Sequence, residues 1–160
     1  MAYPAPFVSA LHRIDDQWID YNGHFNMAYY HVIFDRAVDE AFDSLGLGAA
    51  YVKQANASYF TLETHATYLR ELHAGDEVRV ALQMLDFDRK RIHYVQQMMH
   101  RDGWLACVSE YMVMHVDLAA KRSAPFPPDI IARIEAMHAA HKVLPVPPQV
   151  GHRIAIPRKA

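Results

Sequence analysis

Between Met27 and Leu45 the polar residues His31, Asp35, Asp39 and Asp43 recur at every fourth position. Tyr30, Phe34, Ala37, Ala41 and Leu45 form a second, apolar stripe on another face. Two such stripes predict a long, amphipathic, half-buried helix. Gly46 and Gly48 supply its stop. Ahead of it, Phe7 to Ile14 reads as a short strand and Asp15 to Gly23 as a polar loop. Beyond it the period shortens. Ser58 to Leu72 is rich in Tyr, Phe and Thr, and Ala74-Gly75-Asp76 makes a turn. Val78, Val80, Leu82 and Met84 alternate with more polar neighbours up to a second turn near Asp88. Ile92 to His100 and Trp104 to Asp117 are further strands, and the Asp102-Gly103 pair between them predicts a type I′ hairpin. Pro125, Pro127 and Pro128 break the sheet. Asp129 to His141 is expected to be helical, with Ile130, Ile131, Ile134 and Met137 on its apolar side. From Leu144 the chain carries Pro145, Pro147, Pro148 and Pro157 and is expected to be extended.

Consecutive strands joined by tight turns make an antiparallel sheet, and the long helix must bury its stripe against it. The expected architecture is α+β: about five antiparallel strands wrapped around one long central helix, plus a short C-terminal helix. Residues 1–143 form one domain on this reading, and 144–160 a proline-containing tail.

Composition narrows the function. The 160 residues suffice for one domain with a core; 52% are apolar and 21% charged, as in ordinary globular proteins. A net charge of -2 gives no sign of nucleic acid or an anionic membrane as partner. The single cysteine, Cys107, has no partner for a disulfide and reads as a small core residue. No membrane-spanning run or signal peptide is seen, so a soluble cytoplasmic protein is expected.

The chemistry is concentrated in Asp20-Tyr-Asn-Gly23-His24-Phe-Asn26, just before the long helix. Gly23 lets the chain turn sharply. The first helical N–H groups lack internal partners and carry the positive end of the dipole. A carbonyl oxygen aimed there would be polarised. A carboxylate beside it would attack the carbonyl carbon or deprotonate a water that does, with His24 and Asn26 orienting substrate or water. The same residues also fit a plain helix cap and turn, which from composition alone is the commoner use.

This segment, followed by Tyr30 and Phe34, resembles the hotdog-fold acyl-CoA thioesterases of the 4-hydroxybenzoyl-CoA type, and the resemblance runs from about Phe7 to Asp117. It implies a hotdog fold, with Asp20 as the catalytic carboxylate and the backbone N–H of Met27 polarising the thioester carbonyl. It also implies homodimers or dimers of dimers with the site at the subunit interface. No metal or redox cofactor is implied, coenzyme A being part of the substrate. The stretches "SYFTLETHATYLREL", "DRKRIHY" and "HVDLAAKRSAP" resemble one branch: the thioesterase domain joined to some carnitine dehydrogenases, associated with betainyl-CoA cleavage. Aromatic or medium- to long-chain fatty acyl-CoA hydrolysis, and acyl-CoA binding without turnover, remain as alternatives.

The other candidates each have a bland counterpart. Glu63 and His65 share one side of their strand with Thr61 and Thr67 on a simple alternation; Glu63 is either a site carboxylate or a solvated position. Arg89, Lys90 and Arg91 suit coenzyme A phosphates or form a solvated hairpin. Trp18, Tyr59 and Phe60 are candidate walls of an acyl pocket, and aromatic faces would favour a quaternary ammonium. Eleven histidines raise the question of metal. No His-Glu-x-x-His spacing occurs, and His138 and His141 offer at most two points, so no structural metal is expected. Neither a glycine-rich phosphate loop nor a Gly-x-Ser-x-Gly turn is present.

Overall fold

A computed structural model describes residues 2–158. Met1, Lys159 and Ala160, at the ends of the two expected segments, lie outside the described residues. In chain order the elements are β1 (Phe7–Val8), β2 (His12–Arg13), a 3₁₀ turn (Asp16–Trp18), α1 (Met27–Ser44), α2 (Ala49–Ala55), β3 (Ala57–Tyr68), β4 (Glu77–Phe87), β5 (Arg91–His100), β6 (Leu105–Asp117), β7 (Arg122–Ser123) and α3 (Pro128–His141). The sheet is antiparallel in the order β1-β4-β5-β6-β3, with β2 on β4 and β7 on β6.

α1 lies in the curve of this sheet because its apolar stripe has nowhere else to go. Tyr30, Ile33, Phe34, Ala37, Val38, Ala41 and Phe42 are buried. They meet Val78, Val80, Leu82 and Met84 of β4, Ile92, Tyr94 and Met98 of β5, and Tyr111 and Val113 of β6. Each large apolar side chain so buried contributes about 1.5–3 kcal/mol. Cys107 is part of this core, and burial pushes its thiol up to about 12, so it is inert at neutral pH. α3 covers the start of the sheet with Ile130, Ile134 and Met137. His141 is held neutral there: its Nδ1 accepts the Met84 N–H (2.9 Å) and its Nε2 donates to the Pro4 carbonyl (2.8 Å). His138 bonds through Nε2 to the Leu85 carbonyl. The two histidines thus serve the β4 bulge around Leu85 and do not form a paired metal site.

Several expectations are corrected. The strand from Phe7 to Ile14 is two short pieces, because the Ser9 hydroxyl accepts the Val80 N–H and one extra residue bulges out of the ladder. α2 follows Gly48 where only a stop was expected. Three residues lie between His100 and Trp104, whose carbonyl accepts the His100 N–H; Gly103 N–H donates to the His100 carbonyl and of the three only Gly103 takes positive φ (+86°). That is a type I turn with a left-handed glycine, not type I′. The segment after Leu144 lies against the outer face of the sheet, where Gly151 N–H donates to Glu110 and Gln83 donates to the Leu144 carbonyl.

β3 has β6 on one side and no strand on the other among the described residues. Phe60, Leu62, Tyr68 and Leu69 are exposed along or just beyond it. A long open edge of this kind is normally paired or shielded.

Candidate active site

The loop before α1 is folded by its own backbone. Asp20 N–H donates to the His24 carbonyl (2.9 Å), Asn26 N–H to the Trp18 carbonyl (2.9 Å), and Gly23 N–H to the Asp20 carbonyl (3.0 Å). Gly23 needs the left-handed region, with φ +79°. Inside the turn, Oδ1 of Asp20 accepts the N–H groups of Asn22 (2.8 Å) and His24 (3.3 Å). The other oxygen, Oδ2, has no hydrogen bond among the described residues.

The cap is a different residue. Asn26 holds the N-cap position and its side chain accepts the Ala28 N–H at 3.0 Å. Tyr29 N–H bonds to the Asn26 carbonyl (3.0 Å). The Met27 N–H, the first of the helix, is left without an acceptor among the described residues. Asp20 and Met27 line one cavity of about 430 Å³, together with His24, Tyr30, Tyr68, Arg70 and Glu71. The residues that carry an unspent carboxylate oxygen and an unspent helix-terminal N–H thus line the same space. This is the arrangement that nucleophilic or general-base attack on a polarised carbonyl requires.

His24 belongs to the cavity but is engaged: its Nε2 stands 3.3 Å from a Glu71 oxygen. Asn26 also lines this cavity; its Oδ1 is spent on the cap, and its Nδ2 has no acceptor among the described residues. Trp18 stacks on Tyr29 (5.6 Å, 13°), and the Arg36 guanidinium also lies over its ring (5.4 Å); it braces the loop and does not line the cavity.

The expected substrate-binding set is not brought together within the chain. A bulge at Leu62 breaks the alternation of β3: Thr61 pairs with buried Val113, whereas Glu63 pairs with Met112 on the opposite face. Glu63 therefore shares the outer face with His65 and Thr67 but not with Thr61. It lines a separate cavity of about 250 Å³ with His65, His93, Glu110 and His152. Phe60 is exposed on the edge strand. Tyr59 points inward and donates to Asp39 on α1 (2.9 Å). Arg89, Lys90 and Arg91 sit in the β4–β5 turn, at the end of the sheet away from Asp20. Arg91 is paired with Asp88 (2.6 Å), and Lys90 donates to Ser123 (3.2 Å).

Another cleft, between the polar stripe of α1 and the inner face of β3, was not foreseen. Two neighbouring cavities of about 460 and 190 Å³ share Asp35, Tyr59 and Thr61. Burial, then the nearby Asp39 charge, raises the Asp35 carboxyl above its ordinary value. Burial and Asp39 likewise raise the Tyr59 hydroxyl. Tyr94 and Tyr111 stack in the smaller cavity (5.1 Å, 11°). Gln96, wholly buried there, leaves its Oε1 without a partner. The four-residue spacing from His31 to Asp43 was the available signal, but it reads equally as a solvated face.

No helix among the described residues is long and apolar enough to cross a membrane. The chain matches the Thioesterase-like superfamily over residues 14–134. A betainyl-CoA thioesterase of Pseudomonas aeruginosa is 40% identical over 142 residues, covering 88% of this chain and 89% of that protein. The L-carnitine dehydrogenase/betainyl-CoA thioesterase of Rhizobium meliloti is 32% identical over 143 residues; the match takes in 89% of this chain but only 29% of that longer protein. A Staphylococcus aureus protein, solved in complex with CoA, is 32% identical with a TM-score of 0.89, covering 98% of this chain and 100% of the other. With the sheet curled around α1 and these matches across nearly its whole length, the chain belongs to the thioesterase-like superfamily and has its hotdog fold.

Proposed function

We propose that this protein hydrolyses the thioester of an acyl-coenzyme A whose acyl group is short, polar and cationic, as in betainyl-CoA. One observation carries the chemistry: Asp20, with an unspent carboxylate oxygen, and Met27, with an unspent N–H, line one cavity. The Met27 N–H polarises the thioester carbonyl, and Asp20 attacks its carbon or takes a proton from the water that does. If Asp20 attacks, coenzyme A thiolate leaves and a water then hydrolyses the mixed anhydride, freeing the acid, restoring the carboxylate and supplying the thiol's proton; if Asp20 is the base, water adds directly and the proton Asp20 takes passes to the departing thiolate. The chain supplies this without a resident metal or redox cofactor.

The site is completed by a second copy of the chain, joined along the open edge of β3. β3 runs from the α2 end of the molecule toward the Asp20 end. An antiparallel pairing reverses it, so the second copy's α1–β3 cleft comes alongside this chain's Tyr68. That matters for the acyl group. Within one chain Asp35 lies eight residues from Met27, about 12 Å along the helix, whereas the nitrogen of a betainyl group is two bonds from the thioester carbon. The second copy's cleft therefore receives the trimethylammonium head. Its carboxylates and stacked tyrosines suit a cation that has no N–H to donate. The betainyl-CoA thioesterase named above, 40% identical, supports the same substrate class. The coenzyme A portion then runs outward past Arg70, the cation that lines the Asp20 cavity, and the second copy's Arg89–Arg91 turn is brought to the same side.

The test compares betainyl-CoA with the isostere carrying tert-butyl in place of trimethylammonium, following thiol release. The cationic substrate should have the higher kcat/KM. Asp35→Asn should narrow the gap by about 5- to 30-fold, equivalent to about 1–2 kcal/mol for a cation losing its partner. Glu63→Gln should leave it unchanged. Equal rates on the two substrates, or a steady rise with alkyl chain length, would refute the cationic site.

A further inference from the structure

Asp20 is not the only chemistry at its end of the molecule. His24, Glu71 and His73 each offer a ligand atom, and these atoms lie within 4.8 Å of one another. The backbone explains the meeting of residues nearly fifty positions apart. Phe25 N–H donates to the Leu72 carbonyl (2.8 Å), and both side chains are buried. In extended chain the neighbours of a buried residue point the other way, so His24, Glu71 and His73 emerge together on the outer side. The His24 and His73 rings are 5.6 Å apart at 76°, and His24 Nε2 is 3.3 Å from Glu71 Oε2.

Both histidines stand on pinned backbone. His24 N–H donates to Asp20 Oδ1 and its carbonyl accepts from Asp20 N–H. His73 N–H donates to Asp76 Oδ2 (2.8 Å), and its carbonyl accepts the Asp76 N–H (3.2 Å). The Asp76 carboxylate lies 3.9 Å from His73 Nδ1, beyond hydrogen-bond distance, so it pins the backbone of His73 and not its ring. Two imidazoles and one carboxylate are a donor set of Zn²⁺ and related divalent ions, and three protein ligands leave a coordination position for water. The outer-face histidines His65, His93 and His152 do not make a rival site. Glu110 there is already bonded through both oxygens, to His93 (2.7 Å) and to Gly151 N–H (2.7 Å).

We propose that His24, Glu71 and His73 bind a divalent transition-metal ion, Zn²⁺ foremost, at the rim of the Asp20 cavity, and that the bound ion suppresses turnover. His24 and Glu71 line that cavity as well as facing His73. An ion held by them carries its remaining water into the space in front of Asp20 and fixes His24 away from substrate. The site is thus inhibitory, distinct from the attack on the thioester, which needs no metal.

Calorimetric titration of the full-length protein with zinc chloride tests the site without any substrate. Saturable binding in the micromolar range is expected, with one ion per chain. His73→Ala should weaken it about tenfold or more, and Glu71→Gln should weaken it as well. His73 is exposed and outside the catalytic cavity, so His73→Ala should keep the metal-free rate of thiol release while losing inhibition by zinc. No saturable binding below millimolar zinc, or equal affinity in wild type and His73→Ala, would overturn the site. Because the titration uses only zinc, its failure is separable from failure of the thioesterase reading.

Discussion

Two cavities of this molecule set a carboxylate beside histidine, and Glu110 and Asp20 differ in what is left over. On the outer face Glu110 spends both oxygens, one on His93 and one on the Gly151 N–H. At the start of α1, Asp20 spends only Oδ1, on the turn it closes, and lines the same cavity as Met27, whose N–H is unspent. Satisfied groups of this kind hold structure, here by pinning the C-terminal segment to the sheet. An unspent acceptor and donor sharing one cavity are poised for a reaction. Residue type does not separate Glu110 from Asp20; hydrogen-bond accounting does.

The comparison is broken most severely at Met27. Met27→Pro removes the free N–H, and proline is well tolerated at the first helical position. The preceding residue, Asn26, already has the extended backbone that proline demands (φ -64°, ψ 136°). Turnover should fall about 10²- to 10³-fold, as for loss of one oxyanion donor, with an unchanged far-UV spectrum. Normal turnover would remove the N–H from the mechanism. Glu110→Ala asks the reverse question. Thermal or urea unfolding should show a loss of about 1–3 kcal/mol as the His93 and Gly151 contacts go, with kcat unaltered. A large drop in kcat would mean that the outer cavity takes part in catalysis.

The smallest effect concerns His141. Burial, the leading cause, lowers its folded-state affinity for protons below the ordinary value. The unfolded chain then binds more protons below about pH 6.5. This contribution to stability is complete above that pH and is lost as pH falls toward the lowered folded value. The melting temperature should decline more between pH 8 and pH 5 for wild type than for His141→Asn, and parallel declines would contradict the assignment.

The difference between the two cavities also marks what could be read from the chain. The stripe Tyr30, Phe34, Ala37, Ala41, Leu45 is buried as its period requires, since helix and core obey the same spacing. Asp20, Gly23, His24 and Met27 lie within one short loop and helix start, so local sequence held them together. Glu63 was legible as a carboxylate but not as to its face, because a single extra residue at Leu62 reverses the strand and leaves no trace in a pattern of period two. α2 hid behind Gly48: seven residues are too few to display a helical period, and its glycine start imitates the stop of α1. The joining of His24 to Glu71 and His73 depends on the Phe25–Leu72 backbone bond, a tertiary contact that no spacing announces.

The central claim is that the free oxygen of Asp20 does the chemistry. Asp20→Asn retains an oxygen for the Asn22 and His24 N–H groups, so the turn should survive and stability change by about 1 kcal/mol or less. The decisive measurement is the rate of thiol release from betainyl-CoA by wild type and by this variant, at equal fold content. A fall of about 10² or more is the predicted result. A rate close to wild type from a correctly folded Asp20→Asn protein would contradict the account.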